Sequence, residues 1–106
     1  MAKYMPFMIN VEGKEAIIFG GGSVALRKAK KLLSFGMSVS VASNFFKKEF
    51  DEINVKKVNL KENSELQELL KGKFLVIAAT SDRRFNKNIK ETAEALGIMC
   101  NIVDDK

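Results

Sequence analysis

Ala16-Ile17-Ile18-Phe19 runs without a polar residue into three consecutive glycines, Gly20, Gly21 and Gly22, and an amphipathic segment follows at once. In that segment Ala25, Ala29, Leu32 and Leu33 fall at i, i+4, i+7 and i+8, the spacing of one helical face. Arg27, Lys28, Lys30 and Lys31 fill the opposite face, and Gly36 follows as a stop signal. A short run with no polar side suits a strand buried on both faces, which is the usual state of a central strand in a parallel sheet. Such a strand, turning through glycines into a helix, restricts the chain to architectures built from βα units.

The remaining sequence repeats the alternation. Residues 39–42 read as a second strand, and Phe46, Phe50 and Ile53 mark one face of a short helix. A weaker strand is expected over residues 55–60, where Val58 and Leu60 alternate with polar neighbours. Ser64 followed by Gln67 makes a capping-box pattern that opens a helix carrying Leu66, Leu69 and Leu70. Residues 74–79 form the most apolar strand of all. Phe85, Ile89, Ala93 and Leu96 then line a helix that Gly97 stops, and residues 98–103 complete the series. At the start, residues 6–11 are expected as a short extended segment folded against the sheet, with Glu12-Gly13-Lys14 as its turn. No repeat, low-complexity tract or linker interrupts the pattern. The expectation is one α/β domain over residues 1–106, a Rossmann-like doubly wound parallel sheet of five strands in the order 3-2-1-4-5 with about four helices.

Composition narrows the chemistry. With 46% apolar residues in 106, the chain affords one small core. Its apolar runs fall well short of the roughly 20 residues a membrane span requires. No basic stretch precedes a long apolar one at the N-terminus, so a cytoplasmic location is expected. The absence of histidine removes the commonest general base and metal ligand, and with them zinc hydrolases and histidine-dependent triads. No metal site is expected. The single cysteine, Cys100, cannot form an internal disulfide and reads as a small buried hydrophobe. A net charge of +5 suits an anionic partner. No aromatic residues interleave the basic helix face, so nucleic acid is not expected among those partners.

In an open parallel sheet, ligands bind beyond the carboxyl ends of the strands where the strand order reverses. Three segments should converge there: residues 20–25, Thr80-Ser81-Asp82, and residues 101–104. The first is Gly20-x-Gly22-x-x-Ala25. In this pattern Gly20 permits the turn out of the strand, Gly22 lets backbone approach a diphosphate, and Ala25 keeps helix and sheet close. Ser23, Val24 and Ala25 would present free N–H groups to the phosphates at the helix N-terminus. These positions predict a site for a nicotinamide dinucleotide, NAD or NADP. An acidic residue after the second strand would hold the ribose hydroxyls; this chain has Ser43, Asn44 and Phe45 there instead. Ser43 and Asn44 can hydrogen-bond a ribose but exclude no 2′-phosphate, and Lys47 and Lys48 follow, so NADP stays open. Asp82 reads as the cap of the next helix ahead of a ligand role. Asp104, at the carboxyl end of the last strand, is a candidate functional carboxylate.

These segments together resemble the N-terminal domain of siroheme synthase and its free-standing relative, precorrin-2 dehydrogenase. The resemblance lies in Pro6-Phe7-Met8-Ile9-Asn10-Val11-Glu12-Gly13-Lys14, in Gly20-Gly21-Gly22-Ser23-Val24-Ala25-Leu26-Arg27-Lys28-Ala29, in Ala78-Ala79-Thr80-Ser81-Asp82 with Asn86, and in Cys100-Asn101-Ile102-Val103-Asp104. It implies NAD-dependent oxidation of precorrin-2 to sirohydrochlorin. The substrate would be an anionic tetrapyrrole, for which the positive charge has a use. Asp104 would be the catalytic aspartate, accepting a proton as hydride leaves, and Asn101 with Asp104 would meet the substrate. The cofactor carries the hydride step, so the missing histidine is no obstacle. Family members continue past the position of Asp104 into dimerisation and helical parts, whereas this chain stops at Lys106. Two expectations follow: the chain is a truncated part of such a protein, or it is a naturally short relative that binds cofactor and needs another subunit for turnover, with a homodimer or a partner subunit as the candidate assembly. A second reading, a nucleotide-sensing regulatory domain of the potassium-transport type, shares the glycine turn. It lacks the matches at Arg27-Lys28 and at residues 101–104, and such domains keep the acid after the second strand.

Overall fold

The computed structural model describes residues 2–6, 8–61 and 65–103. Five strands form one sheet: β1 (Glu15–Phe19), β2 (Ser38–Ser43), β3 (Lys56–Asn59), β4 (Leu75–Ala78) and β5 (Met99–Ile102). All neighbouring pairs are parallel, in the order β3-β2-β1-β4-β5. Helix α1 (Ser23–Ser34) crosses from β1 to β2, α2 (Leu66–Leu70) precedes β4, and α3 (Arg83–Ala95) joins β4 to β5. The expected Rossmann-like, doubly wound sheet is therefore present, with its reversal of strand order between β1 and β4.

Period-two alternation sorts the strands' side chains into two cores. Ala16 and Ile18 of β1, Val39 and Val41 of β2, and Ile77 of β4 pack against Ala25, Ala29 and Leu32 of α1. On the other face, Ile17, Phe19, Val76 and Ala78 meet Leu70 of α2 and Ile89 and Ala93 of α3. The run Ala16-Ile17-Ile18-Phe19 is at most 1% exposed because both faces are covered. Both long helices end in Schellman pairs: Gly36 and Met37 donate to Leu33 and Leu32, and Gly97 and Ile98 donate to Glu94 and Ala93.

Two expectations are corrected. The helix marked by Phe46, Phe50 and Ile53 is a single 3₁₀ turn over Lys48–Glu52. Only a few residues separate its end from β3, too few for a longer helix. Phe50 nevertheless reaches the α1-side core, with Phe46 edge-on to it at 5.8 Å. The described residues before the turn at Gly13 do not fold against the sheet: Tyr4, Met5 and Met8 are 90, 78 and 100% exposed, and among them Val11 alone is packed against the α1-side core. Strand β1, which follows it, offers no free edge, since β2 and β4 take both sides. With the element at Phe50 a 3₁₀ turn, three of the about four expected helices are α-helices among the described residues. Ser64 of the capping box lies outside them; Gln67 is within α2, whose N-cap Glu65 makes no side-chain capping bond.

Strand β5 is an outer strand and only thinly covered, with Met99 and Ile102 exposed. Cys100 within it is half-buried against the α3-side core rather than fully enclosed. Burial pushes its thiol pKa up, Lys90 pulls it down by charge, and Glu94 adds to the rise. A raised pKa keeps the thiol protonated and unreactive near neutrality, as suits a packing residue. No described helix is long and apolar enough to cross a membrane, and no described cluster of carboxylates and cysteine could hold a metal ion.

Candidate functional site

The chain leaves β1 at the point where the sheet divides. The Gly20 N–H donates to the Ala42 carbonyl at 2.9 Å, and the Ala79 N–H donates to the Phe19 carbonyl at 2.8 Å. The glycine turn is thus held between the carboxyl ends of β2 and β4. Gly20 adopts φ +133°, and a Cβ there would stand 2.4 Å from the Ala79 carbonyl oxygen. A Cβ on Gly21 would lie 1.6 Å from the Phe45 carbonyl oxygen. The second glycine is therefore demanded by the loop after β2, which lies directly on the turn. The Lys47 N–H fixes that loop by donating to the Gly21 carbonyl at 2.8 Å.

Gly22 is the N-cap of α1, in extended conformation with no side-chain capping bond. Backbone N–H groups in a helix's first turn have no intrahelical acceptor, and at Ser23, Val24 and Ala25 no cap side chain competes for them. Val24 and Ala25 are buried, so only their backbone is on offer; Ser23 is exposed. This is the arrangement a diphosphate requires: free donors, a positive helix end and no side chain in front.

A cleft of about 680 Å³ opens above the turn. Gly20, Gly21 and Gly22 form its floor; Ser43, Asn44, Phe45 and Lys61 form the β2–β3 rim; Thr80, Ser81, Asp82 and Phe85 form the β4 rim. On the β2 side, Ser43 is buried and its Oγ accepts the Phe45 N–H at 3.2 Å, so this hydroxyl shapes the loop. Asn44 is exposed, and the Phe45 ring is 68% exposed and borders the cleft. On the β4 side Asn86 organises the rim. It is 3% exposed; its Oδ1 accepts from the Thr80 N–H at 3.2 Å and the Thr80 hydroxyl at 2.6 Å, and its Nδ2 donates to the Thr80 carbonyl at 2.9 Å. Asp82 is the N-cap of α3, its Oδ1 accepting the Phe85 N–H at 3.1 Å, as expected of a cap.

Of the predicted cofactor residues, Gly20, Gly22, Ser43, Asn44, Phe45, Thr80, Ser81 and Asp82 line this one cleft, and Ser23, Val24 and Ala25 open α1 at its floor. Asn101 does not join them. It is exposed on β5, in register with Ile77. Asp104 lies outside the described residues; the last described residue, Val103, donates its N–H to the Ala78 carbonyl at 2.9 Å. Two residues outside the predicted set also matter. Asn86 was visible as a polar residue on the apolar stripe of Phe85, Ile89 and Ala93. Lys47 is set apart from its neighbours only in three dimensions: its Nζ donates to the Ser23 Oγ at 2.9 Å.

Fold and cleft together define a Rossmann-type nucleotide-binding domain. Residues 7–106 match the family described as "Putative NAD(P)-binding", and the chain belongs to that family. It is 38% identical over 104 residues to a siroheme synthase of Nitrosomonas eutropha and 36% identical over 102 residues to siroheme synthase 2 of Aeromonas salmonicida. Each match covers 96% of this chain, but 22% and 21% of those proteins, so the chain spans about a fifth of their length. Among solved structures, "SirC, precorrin-2 dehydrogenase" superposes with a TM-score of 0.70 at 23% identity, covering 92% of this chain and 48% of that one. That likeness establishes the fold.

Proposed function

We propose that residues 1–106 are the dinucleotide-binding domain of a precorrin-2 dehydrogenase of the siroheme-synthase kind. The observation that carries this reading is the cleft at the strand-order reversal, floored by a helix N-terminus without a capping side chain. The similarity to siroheme synthases along 96% of the chain supports the choice of pathway.

In this reading the diphosphate rests on the N–H groups of Ser23, Val24 and Ala25. The adenosine lies along the β2 rim, with the Phe45 ring as an apolar wall and Asn44 as a hydrogen-bonding partner for the ribose. Ser43 supports that loop from below. The nicotinamide end extends toward Thr80, Ser81 and Asp82, whose backbone Asn86 holds in place. The bound dinucleotide supplies the hydride acceptor for oxidation of the tetrapyrrole. Asn101 and Asp104 are assigned to the substrate side, with Asp104 taking the proton released as hydride leaves; the family resemblance supports this assignment. The chain's +5 charge favours a polycarboxylate substrate. A second copy or a partner subunit would complete the enclosure of that substrate.

The test is titration of the purified chain with NAD and with NADP, followed by precorrin-2 oxidation monitored as reduced nicotinamide appears. Binding with turnover is the result expected of a self-sufficient enzyme, and Asp104→Ala should then abolish turnover while leaving dinucleotide affinity unchanged. Binding without turnover would restrict the chain to the cofactor half of the reaction. Failure to bind either dinucleotide would overturn the reading and leave the glycines as a structural turn.

A further inference from the structure

We propose that the free edge of β5 is a self-association surface, on which a second copy of this chain pairs its own β5 antiparallel about a two-fold axis through Cys100. The two outer strands of the sheet are finished differently. β3 carries Lys56 and Lys57, both exposed, and Lys57 is ion-paired with Asp51. Charge of this kind keeps an edge from pairing with another chain. β5 reads Met99-Cys100-Asn101-Ile102, with no charge and no proline, and Met99 and Ile102 are 58 and 40% exposed. No described strand lies beyond it. The Val103 N–H donates inward to the Ala78 carbonyl, so by alternation the N–H and carbonyl groups of Cys100 and Ile102 point to the open side. An undefended row of this kind is a template for another strand. Among the described residues β5 contributes nothing to the lining of the cleft, so this surface is separate from the proposed dinucleotide site.

Charge selects the second copy and fixes the register. Lys90 and Glu94, one turn apart on α3, are exposed, and both lie near enough to Cys100 to act on its thiol by charge. Neither has an ion-pair partner within the chain among the described residues. A two-fold axis perpendicular to the sheet keeps α3 of both copies on one face, so strand residues of equal parity face each other across it. With Cys100 opposite its own counterpart, the α3 helices run antiparallel and Lys90 of each copy meets the partner's Glu94, giving two reciprocal pairs. Ile102 then lies opposite the partner's Ile98, an apolar cross-strand pair on the α3 side. Moving the axis by one residue shifts the helices by about two positions, since a strand rises about 3.3 Å per residue and a helix about 1.5 Å. An axis at Asn101 would bring the two Lys90 side chains together, and one at Met99 the two Glu94 side chains, both repulsive. The contact takes one short strand and one helix flank from each copy, an interface below about 1,200 Å², the size of transient complexes. That size, with a charge of +5 on each copy, predicts a reversible dimer with a dissociation constant of about 10–100 μM.

The experiment is sedimentation equilibrium of the full chain at physiological salt, from well below to well above that dissociation constant. It should show a monomer passing to a dimer and no higher species, because a two-fold contact closes on itself. Ile102→Lys gives β5 the charge that defends β3 and should weaken association by about tenfold or more. Cys100→Pro should do the same by removing an outward N–H that β4 does not use. Lys90→Glu should weaken association about tenfold by setting carboxylates against the partner's Glu94, and adding Glu94→Lys should restore it to within about twofold. Circular dichroism and thermal melting at a monomeric concentration check the fold of each variant, and rescue by the charge swap is a result that misfolding cannot imitate. A chain that stays monomeric throughout would overturn the inference. So would a dimer indifferent to Ile102→Lys and Cys100→Pro, whose contact would lie elsewhere, for instance on the exposed residues Tyr4 and Met8. A dimer weakened by both β5 variants but not restored by the charge swap would keep the edge and overturn the axis through Cys100.

Discussion

The two rims of the cleft are made in opposite ways. Around the glycine turn the surface is backbone, and its shape depends on atoms that are not there: a Cβ at Gly20 or Gly21 would run into the main chain of Ala79 or Phe45. Across the cleft, residues 80–86 depend on atoms that are there. Asn86 makes three hydrogen bonds to Thr80, and Asp82 closes the first turn of α3. The first rim can be damaged only by addition and the second mainly by deletion. This difference follows from their tasks. Backbone donors must come within hydrogen-bonding distance of a phosphate, so side chains are excluded, while a loop between a strand end and a helix needs partners for its polar groups.

The sharpest test of the first half is Gly21→Ala. The obstructing atom is a backbone carbonyl 1.6 Å away, so the loop carrying Phe45 and Lys47 must shift as a whole. We expect a loss of about 3 kcal/mol, the upper end of the usual overpacking range, read from chemical denaturation. Dinucleotide binding should fall by more than tenfold, beyond what the stability loss explains. Gly20→Ala comes next, combining a disallowed φ of +133° with a carbonyl at 2.4 Å; strain of this kind costs about 1–3 kcal/mol. If either alanine variant kept full stability and affinity, the account of this rim as a surface emptied of side chains would fail.

For the second rim the informative change is Asn86→Ala. It leaves the Thr80 N–H and carbonyl without their side-chain partner in a half-buried setting, a penalty of about 1–3 kcal/mol. The effect on binding should be smaller than at Gly21 and confined to the nicotinamide end. It is checked by comparing full dinucleotide with adenosine diphosphate ribose: affinity for the full dinucleotide should drop, and affinity for the truncated ligand should stay. Equal weakening of both would mean that Asn86 supports the whole cleft, and the contrast between the rims would blur.

How much of this could be read from residue order follows the same division. Strands β1 and β4, helix α1 and the glycine turn were legible because burial on both faces, helical spacing and the need for bare backbone each leave a mark on residue type. The strand order followed from the βα alternation. Less was legible where packing depends on distant partners. Phe46, Phe50 and Ile53 have helical spacing, but the short path to β3 permits only a 3₁₀ turn. The segment around Tyr4 and Met8 is apolar by composition and exposed in place, since no free edge of β1 receives it. Ser43 was legible as a cleft residue, but the bond its Oγ accepts from the Phe45 N–H, which shapes the loop, was not. Gly21 looked like the spare position of the glycine pattern. Its reason is a carbonyl more than twenty residues away, and nothing in the local pattern reports that.

The smallest expected effect decides a question of role. Asp82 lines the cleft and also caps α3, so the same carboxylate could serve ligand or fold. Asparagine caps a helix about as well as aspartate, whereas alanine caps poorly. Asp82→Ala should therefore cost about 1 kcal/mol of stability, the ordinary value of an N-cap, and Asp82→Asn close to nothing. Stability is read by denaturation and dinucleotide affinity by titration on the same samples. If the cap is the whole role, affinity follows stability: unchanged in Asp82→Asn and slightly reduced in Asp82→Ala. If Asp82→Asn keeps its stability yet alters affinity, the charge itself meets the ligand. The β4 rim would then owe its chemistry to a side chain, as its architecture already does.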